Sequence, residues 1–463
     1  MILLASLCVG APATGRLEWR AKDNRVSAEI NSARVLSVLE EIAEATGWQV
    51  YLEPGTDYTV STKFKDRTVG EALQLLLGSL SYVRVPGETN SPAKLYVFRT
   101  SRSEATQLVV KKQDPTAKPI PNELVVKLCK TGNVDELAQK FGAKVIGKVS
   151  ATDTYRLAFA TAEGAQVARA QLTNEPCVEA IDSNYYVRRP ETTDGLNFPS
   201  NSNFDLKPRS SGDCTGPIIG LIDTAIQPTG TAMDAFLLPS ISVAGESQAA
   251  NGQPTHATAM AETALQALNN SVQQPPPQNQ SPALDAPASQ PPTADKQSGA
   301  RLLPVDVYGP NATTTTFDVA HGIVEAINKG ANIINMSLGG GGHSDFLHGV
   351  IRQGTKQGVL FLAAAGNEPT TTPTYPAAYP EVLAVTARSR DGSIAPYANR
   401  GEFIDLSAPG SSIFPFQGQS WMATGTSGAT AFASGLAASL WDCNKMTSGQ
   451  IAGALQQLMP VKR

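Results

Sequence analysis

Apolar and polar positions along this chain change period several times, and each change marks an element. Val26 to Ile30 alternates with period two, as a half-buried strand does. Val35, Leu36, Leu39, Ile42 and Ala43 then recur at helical spacing within residues 32–46, and Gly47 stops the run. Trp48 to Leu52 reads as a strand. Thr68 and Glu71 have capping-box spacing ahead of Leu73, Leu76, Leu77 and Leu80, and Lys94 to Phe98 reads as a closing strand. Residues 16–100 are therefore expected to form a small α+β unit. Residues 101–119 are polar and contain proline, the composition of a linker. Between 120 and 190 the pattern runs strand (122–128), helix capped by Asn133 with Glu136, strand (144–149), strand (155–159), helix (161–172), strand (178–186). The order βαββαβ is ferredoxin-like.

Residues 191–216 are polar and turn-rich, a second linker and an expected zone of proteolytic processing. From 217 to 463 the pattern changes to continuous apolar runs (217–222, 302–308, 331–336, 358–365, 382–387) alternating with helical spacing (256–269, 316–329, 344–356, 426–442, 448–459). Runs apolar at every position belong to strands covered on both faces. The fold class expected here is α/β, a mostly parallel sheet with helices on both faces. Residues 271–300 interrupt it with Pro, Gln, Ala and Ser and almost no bulky apolar side chains. Such a stretch cannot bury enough surface to order itself, so it is expected to be a disordered insertion.

The 463 residues are enough for two or three domains. A formal net charge of −4 gives no electrostatic footprint for nucleic acid. Met1 to Val9 is apolar and leads to Ala11-Pro12-Ala13, which reads as a signal peptide over residues 1–15, too short to span a membrane. Export would permit disulfides. In a ferredoxin-like unit the end of the first strand lies beside the start of the last, and Cys129 and Cys177 sit at those two places. They are the expected pair, and Cys214 with Cys443 follows by elimination. The cysteines and four histidines show no zinc-ligand spacing. His321, His343 and His348 read as surface or loop residues.

The candidate chemistry lies in the last domain. Gly425-Thr426-Ser427-Gly428 opens an apolar helix of small residues, so Ser427 sits at a buried helix N-terminus, where a nucleophile can be held still near positive partial charge. Asp223 ends the apolar run 217–222. His256 stands at the mouth of a helix, and Asn367 ends the run 359–366. Singly, each is an ordinary cap or turn residue. Jointly, the order Asp, His, Asn, Ser, each at a strand end or helix start, resembles the subtilisin-like serine peptidases (subtilases). A lipase or esterase of the α/β-hydrolase type would place its nucleophile before the acid and the histidine.

The resemblance implies a serine endopeptidase, secreted and made as a zymogen. Ser427 would be the nucleophile, His256 the general base, Asp223 its partner, and Asn367 an oxyanion donor. Asn335 to Gly340 resembles the family segment that pairs with the substrate backbone. Ser337, Leu338, Gly339 and Gly340, with Ala364, Ala365 and Gly366, would wall the specificity pocket, and Glu368 would stand at its rim. Residues 120–190 resemble the family's propeptide, an intramolecular chaperone and inhibitor whose tail, here Asn184 to Pro190, fills the cleft. Calcium is common in the family, so the resemblance leaves calcium open, but no loop of clustered carboxylates here is assignable to it, and no other cofactor is expected. Ala225, Ala257 and Ala431 replace the family's usual Gly, Gly and Pro. An Ala forced to positive φ would strain the backbone. Residues 16–100 are similar in pattern to the short N-terminal domain of secretins and TonB-dependent receptors, which implies docking to an envelope protein. The expected partners are protein or peptide substrates, and the expected location is secreted, periplasmic or at the cell envelope. A catalytically impaired fold kept as an envelope-anchored binding module is the alternative.

Overall fold

The computed structural model describes residues 16–20, 25–56, 58–86, 93–109, 114–190, 194–199, 205–209, 216–247, 252–272, 296–442, 444 and 446–461. The expected signal peptide, Cys214, Cys443 and the centre of the 271–300 insertion lie outside them. The chain divides into two compact units, Met1–Gln113 and Asp114–Arg463.

In the first unit the helices Val35–Thr46 and Val69–Leu77 bury Val35, Val38, Leu39, Ile42, Leu73, Leu76 and Leu77 in one core. Gly47 ends the first helix in the left-handed region, and Thr68 with Glu71 forms the capping box of the second. Two sheets complete the unit. One is antiparallel (Arg16–Arg20, Arg25–Arg34, Thr59–Thr68), and the other has the order Ser81–Val85, Lys94–Phe98, Gln49–Leu52, Gln107–Val109. The described parts of the expected 101–119 linker are thus structured. Gln107–Val109 pairs antiparallel with Gln49–Leu52, and Asp114 to Ala117 belongs to the second unit.

The second unit begins with the βαββαβ order read from the sequence: Pro119–Leu128, Val134–Lys140, Ala143–Val149, Thr154–Phe159, Ala162–Leu172, Val178–Arg188. First and last strands pair antiparallel, Leu128 opposite Val178, and Cys129 and Cys177 form a disulfide with their Cα atoms 5.0 Å apart. The main sheet has seven parallel strands in the order Ile241–Ser242, Arg301–Asp306, Ile218–Asp223, Ile333–Met336, Leu360–Ala364, Val382–Arg388, Leu406–Pro409. Helices Thr316–Asn328 and Asp345–Lys356 pack on one face. Helices His256–Val272, Thr426–Trp441 and Ser448–Leu458 pack on the other.

Two expected irregular stretches carry structure. Within 191–216, Asp194–Pro199 adds to the Ser411–Phe416/Gln419–Thr424 hairpin, and Lys207–Pro208 pairs with Gln297–Ser298. At the end of the insertion, the Ser298 hydroxyl and Gly299 N–H both donate to Asp442. In both places the segments are held largely by backbone and carboxylate hydrogen bonds, with Leu206 as an apolar anchor in the core, so composition alone hides them.

Candidate active site

Three neighbouring parallel strands deliver the site. Ile218–Asp223, Ile333–Met336 and Leu360–Ala364 end at one edge of the sheet, and their ends carry Asp223, Ser337 and, three residues beyond Ala364, Asn367. Two helix N-termini arrive at the same edge, bringing His256 and Ser427. The carboxyl edge of a parallel sheet is where α/β folds place ligands.

Asp223 is fully buried and His256 nearly so. His256 Nδ1 lies 2.9 and 2.8 Å from the two Asp223 carboxylate oxygens. A carboxylate on Nδ1 holds the imidazole with Nε2 free to accept a proton. Thr224 fixes both partners: its N–H donates to Asp223 Oδ1 (2.7 Å) and its hydroxyl accepts from Ala257 N–H (3.1 Å) in the first turn of the His256 helix.

Ser427 is held from the neighbouring strand end. Its hydroxyl donates to the Ser337 carbonyl (3.2 Å), while the Ser337 hydroxyl donates to the Ser427 carbonyl (3.1 Å). Behind Ser337, Asn335 donates to its hydroxyl and accepts from Ser434, about two turns further along the Ser427 helix. The Ser427 hydroxyl is thus turned to Ser337 rather than to His256.

Asn367 is anchored by its oxygen. Oδ1 accepts from the Thr426 N–H (2.9 Å) and the Thr426 hydroxyl (3.1 Å), and the same hydroxyl accepts from Gly366 N–H (3.1 Å). With Oδ1 occupied, the Nδ2 donors of Asn367 project from the residue beside Ser427. Gly425 permits this approach. Its φ is 142°, and a Cβ there would stand 2.9 Å from Asn367 Nδ2.

The two helices of the site touch closely. Gly435, on the Ser427 helix, has no room for a side chain, because a Cβ would run into the carbonyl of Ala264 on the His256 helix. The three alanine replacements are unstrained, since the non-glycine residues with positive φ among the described residues are Asp66, Asp153 and Gln417.

The expected pocket residues come together as follows. Met336 pairs with Ala363, which sets Ser337 to Gly339 beside Ala364 to Gly366. Asn399 supports this wall by donating to the Ala365 carbonyl (2.7 Å). Gly340 departs from the expectation of a free strand edge, because both its N–H and its carbonyl pair with Tyr375.

The tail of the βαββαβ domain enters this region. Its last strand continues past its own sheet, and Tyr186, Val187 and Arg188 pair antiparallel with Thr315, Thr314 and Thr313. Arg189 N–H donates to the Ala312 carbonyl (3.3 Å), and the Tyr308 hydroxyl donates to the Arg188 carbonyl (2.8 Å). The Arg188 guanidinium donates to Glu368 (2.6 Å) and Asp114 (2.8 Å). The same domain caps two helices. Asp182 Oδ2 accepts from Ser344 Oγ and Phe346 N–H at the start of Asp345–Lys356, and buried Asn184 accepts from Thr316 Oγ1 and Phe317 N–H at the start of Thr316–Asn328. These caps satisfy helix donors that would otherwise lack partners.

Sequence reasoning missed Thr224, Thr426 and Thr313–Thr315. The adjacency of Thr426 to Ser427 was a usable signal. The β-favouring run 313–316 ahead of a helix was another.

Residues 215–459, more than half of the chain, match the subtilase family, and residues 105–184 match the fervidolysin N-terminal prodomain. A thermophilic serine proteinase of a Bacillus species is 27% identical over 277 residues, covering 58% of this chain and 64% of that protein. A thermostable alkaline protease of Halalkalibacterium halodurans is 29% identical over 277 residues, covering 58% and 68%. Thermitase of Thermoactinomyces vulgaris is 34% identical over 140 residues, covering 30% and 50%. The chain thus matches between 50% and 68% of the length of these relatives. Among the described residues no helix is long and apolar enough to cross a membrane.

Proposed function

The chain belongs to the subtilase family, and on that premise we propose that it is a secreted serine endopeptidase made as a self-processing zymogen. The observation that carries the reading is the buried Asp223–His256 pair at the same sheet edge as Ser427 and an Asn367 amide anchored by Thr426. In this reading the Ser427 hydroxyl turns from Ser337 to His256 Nε2. It attacks the scissile carbonyl carbon as its proton passes to His256. The C–O bond forms, and the carbonyl electron pair moves to an oxyanion held by Asn367 Nδ2 and the Ser427 N–H. Collapse breaks the C–N bond, the amine leaves with the proton from His256, and an acyl-Ser427 ester remains. Water repeats the sequence and releases the acid. Asp223 stabilises the imidazolium in each half. The chemistry needs no metal step.

The prodomain supports the zymogen half of the reading. Its tail lies along Thr313–Thr315 in the manner of an added strand, a mode that reads backbone more than side chains. Arg188 against Glu368 favours a basic side chain in one subsite of otherwise broad specificity. Because Asp194–Pro199 is already paired within the catalytic part, we place the processing cut between Arg189 and Asp194. Residues 16–109, with their own core, are proposed as a docking unit for a protein of the cell envelope, in line with the short secretin-type pattern.

A fluorophosphonate probe on the wild-type chain and Ser427→Ala tests the activity. Labelling of the wild type alone is expected. Equal absence of label from both would favour the binding-module alternative.

A further inference from the structure

The glycine run Gly340–Gly342 borders the pocket wall, and a second segment of the chain lies on it. Asp114 forms a self-capped turn. Its carboxylate accepts from Thr116 N–H (2.9 Å) and Thr116 Oγ1 (2.6 Å). Thr116 is only 2% exposed, and its hydroxyl oxygen accepts from Gly341 N–H at 2.8 Å. The fit depends on the missing side chains. A Cβ on Gly341 would lie 2.8 Å from Ala117 Cβ and from Asp114 Oδ2, and one on Gly340 would lie 2.7 Å from Thr116 Oγ1. A Cβ on Gly342 would run into the Tyr185 ring of the tail and would lie 2.7 Å from the Thr116 carbonyl oxygen, so strap and tail share that glycine.

The prodomain therefore meets the cleft region with both of its ends. The tail pairs with Thr313–Thr315, and the segment ahead of the first strand covers the glycine run. The ends are joined by Arg188, which donates to Asp114 on one side and to Glu368 on the other.

We propose that Asp114–Ala117 is a second inhibitory strap, which occupies the glycine surface Gly340–Gly342 and must leave before the cleft opens. The inference rests on the zymogen reading above. A single cut after the tail does not free the protease at once, because strap and tail remain in one fragment that holds the cleft region from both ends and caps two helices of the catalytic part between them. Release is then slower than the cut, and the strap sets part of the delay.

The test uses the full-length chain in two backgrounds. In the wild-type background, the lag before hydrolysis of a chromogenic peptide is compared for Thr116→Val, Thr116→Ser and the unaltered chain. Valine keeps the shape but removes the acceptor of the Gly341 N–H and the donor to the Asp114 carboxylate, so the lag should shorten by at least roughly 5- to 30-fold, the effect that loss of one such bond implies. Serine keeps the hydroxyl and should restore the wild-type lag, and the final specific activity should be equal in all three. In the Ser427→Ala background, which cannot process itself, amide exchange at Gly341 should be protected and should accelerate with Thr116→Val. An unchanged lag, or a Gly341 amide that exchanges equally fast with Thr116 intact and replaced, would overturn the strap. If no chain shows activity and Ser427 takes no probe, the peptidase reading falls, and exchange at Gly341 still decides whether the strap is seated.

Discussion

Glu262 sits on the helix that begins at His256, and it is fully buried. One carboxyl oxygen accepts from the Thr231 hydroxyl (2.8 Å), while the other has no hydrogen-bond partner among the described residues. Burial, opposed by its bonds to Thr231 and Thr229 and reinforced by Asp234, pushes the carboxyl up from 4.5 to about 7. Between those values the folded chain keeps a proton that the unfolded chain has lost. The stabilising contribution is therefore fully present below pH 4.5 and is lost as pH rises through about 7. At about 1.4 kcal/mol per pH unit, the whole effect is about 3 kcal/mol. Glu262→Gln has the same shape and no ionisation, so it should remove this dependence. The assay is calorimetric unfolding of Ser427→Ala with and without Glu262→Gln, which avoids self-digestion, across pH 4 to pH 8. The glutamine variant should gain on its parent progressively between pH 4.5 and pH 7, by about 3 kcal/mol for the transition of the larger unit. Two stability curves that stay parallel across this window would refute the reasoning.

Three further outcomes follow from the geometry. Asn367→Ala should lower kcat by about 10²–10³ with little change in KM, measured by steady-state peptide hydrolysis, because it removes a donor that acts on the transition state. Gly435→Ala should destabilise the larger unit by about 1–3 kcal/mol and reduce kcat, read by thermal unfolding and the same assay, since the added methyl separates the two helices that carry His256 and Ser427. Replacing Cys129 and Cys177 by alanine opens a link across a sequence separation of 48. It should cost about 2–4 kcal/mol, checked by unfolding the double variant and comparing it with the oxidised parent.

Much of the parallel sheet was legible because its inner strands are buried on both faces. Runs such as Ile218 to Ile222 and Leu360 to Ala364 admit no polar alternation. Ile241–Ser242 and Leu406–Pro409 were not legible, being too short to show any period. Thr59–Thr68 was missed for another reason. Its Lys63, Lys65, Asp66 and Arg67 dilute the alternation, although the strand pairs along most of its length with Arg25–Arg34. Asp223, His256, Asn367 and Ser427 could be found because each ends an apolar run or stands at a helix start, which sequence pattern marks, although the strand before Asn367 stops at Ala364. Thr116 and Thr224 could not, because their hydroxyls acquire their Gly341 and Ala257 partners only when distant segments meet, whereas Thr426 could have been found from its place beside Ser427. Asp194–Pro199 was read as linker for the same reason, since its neighbour Gln419–Thr424 lies more than two hundred residues away.

The central claim is that Ser427 is an activated nucleophile that matures its own chain. Its most direct measurement is the intact mass of the purified wild-type chain beside that of Ser427→Ala. The account predicts a wild type cut between Arg189 and Asp194 and a mutant that stays whole. A wild type that stays whole, or a mutant cut at the same bond as the wild type, would contradict it.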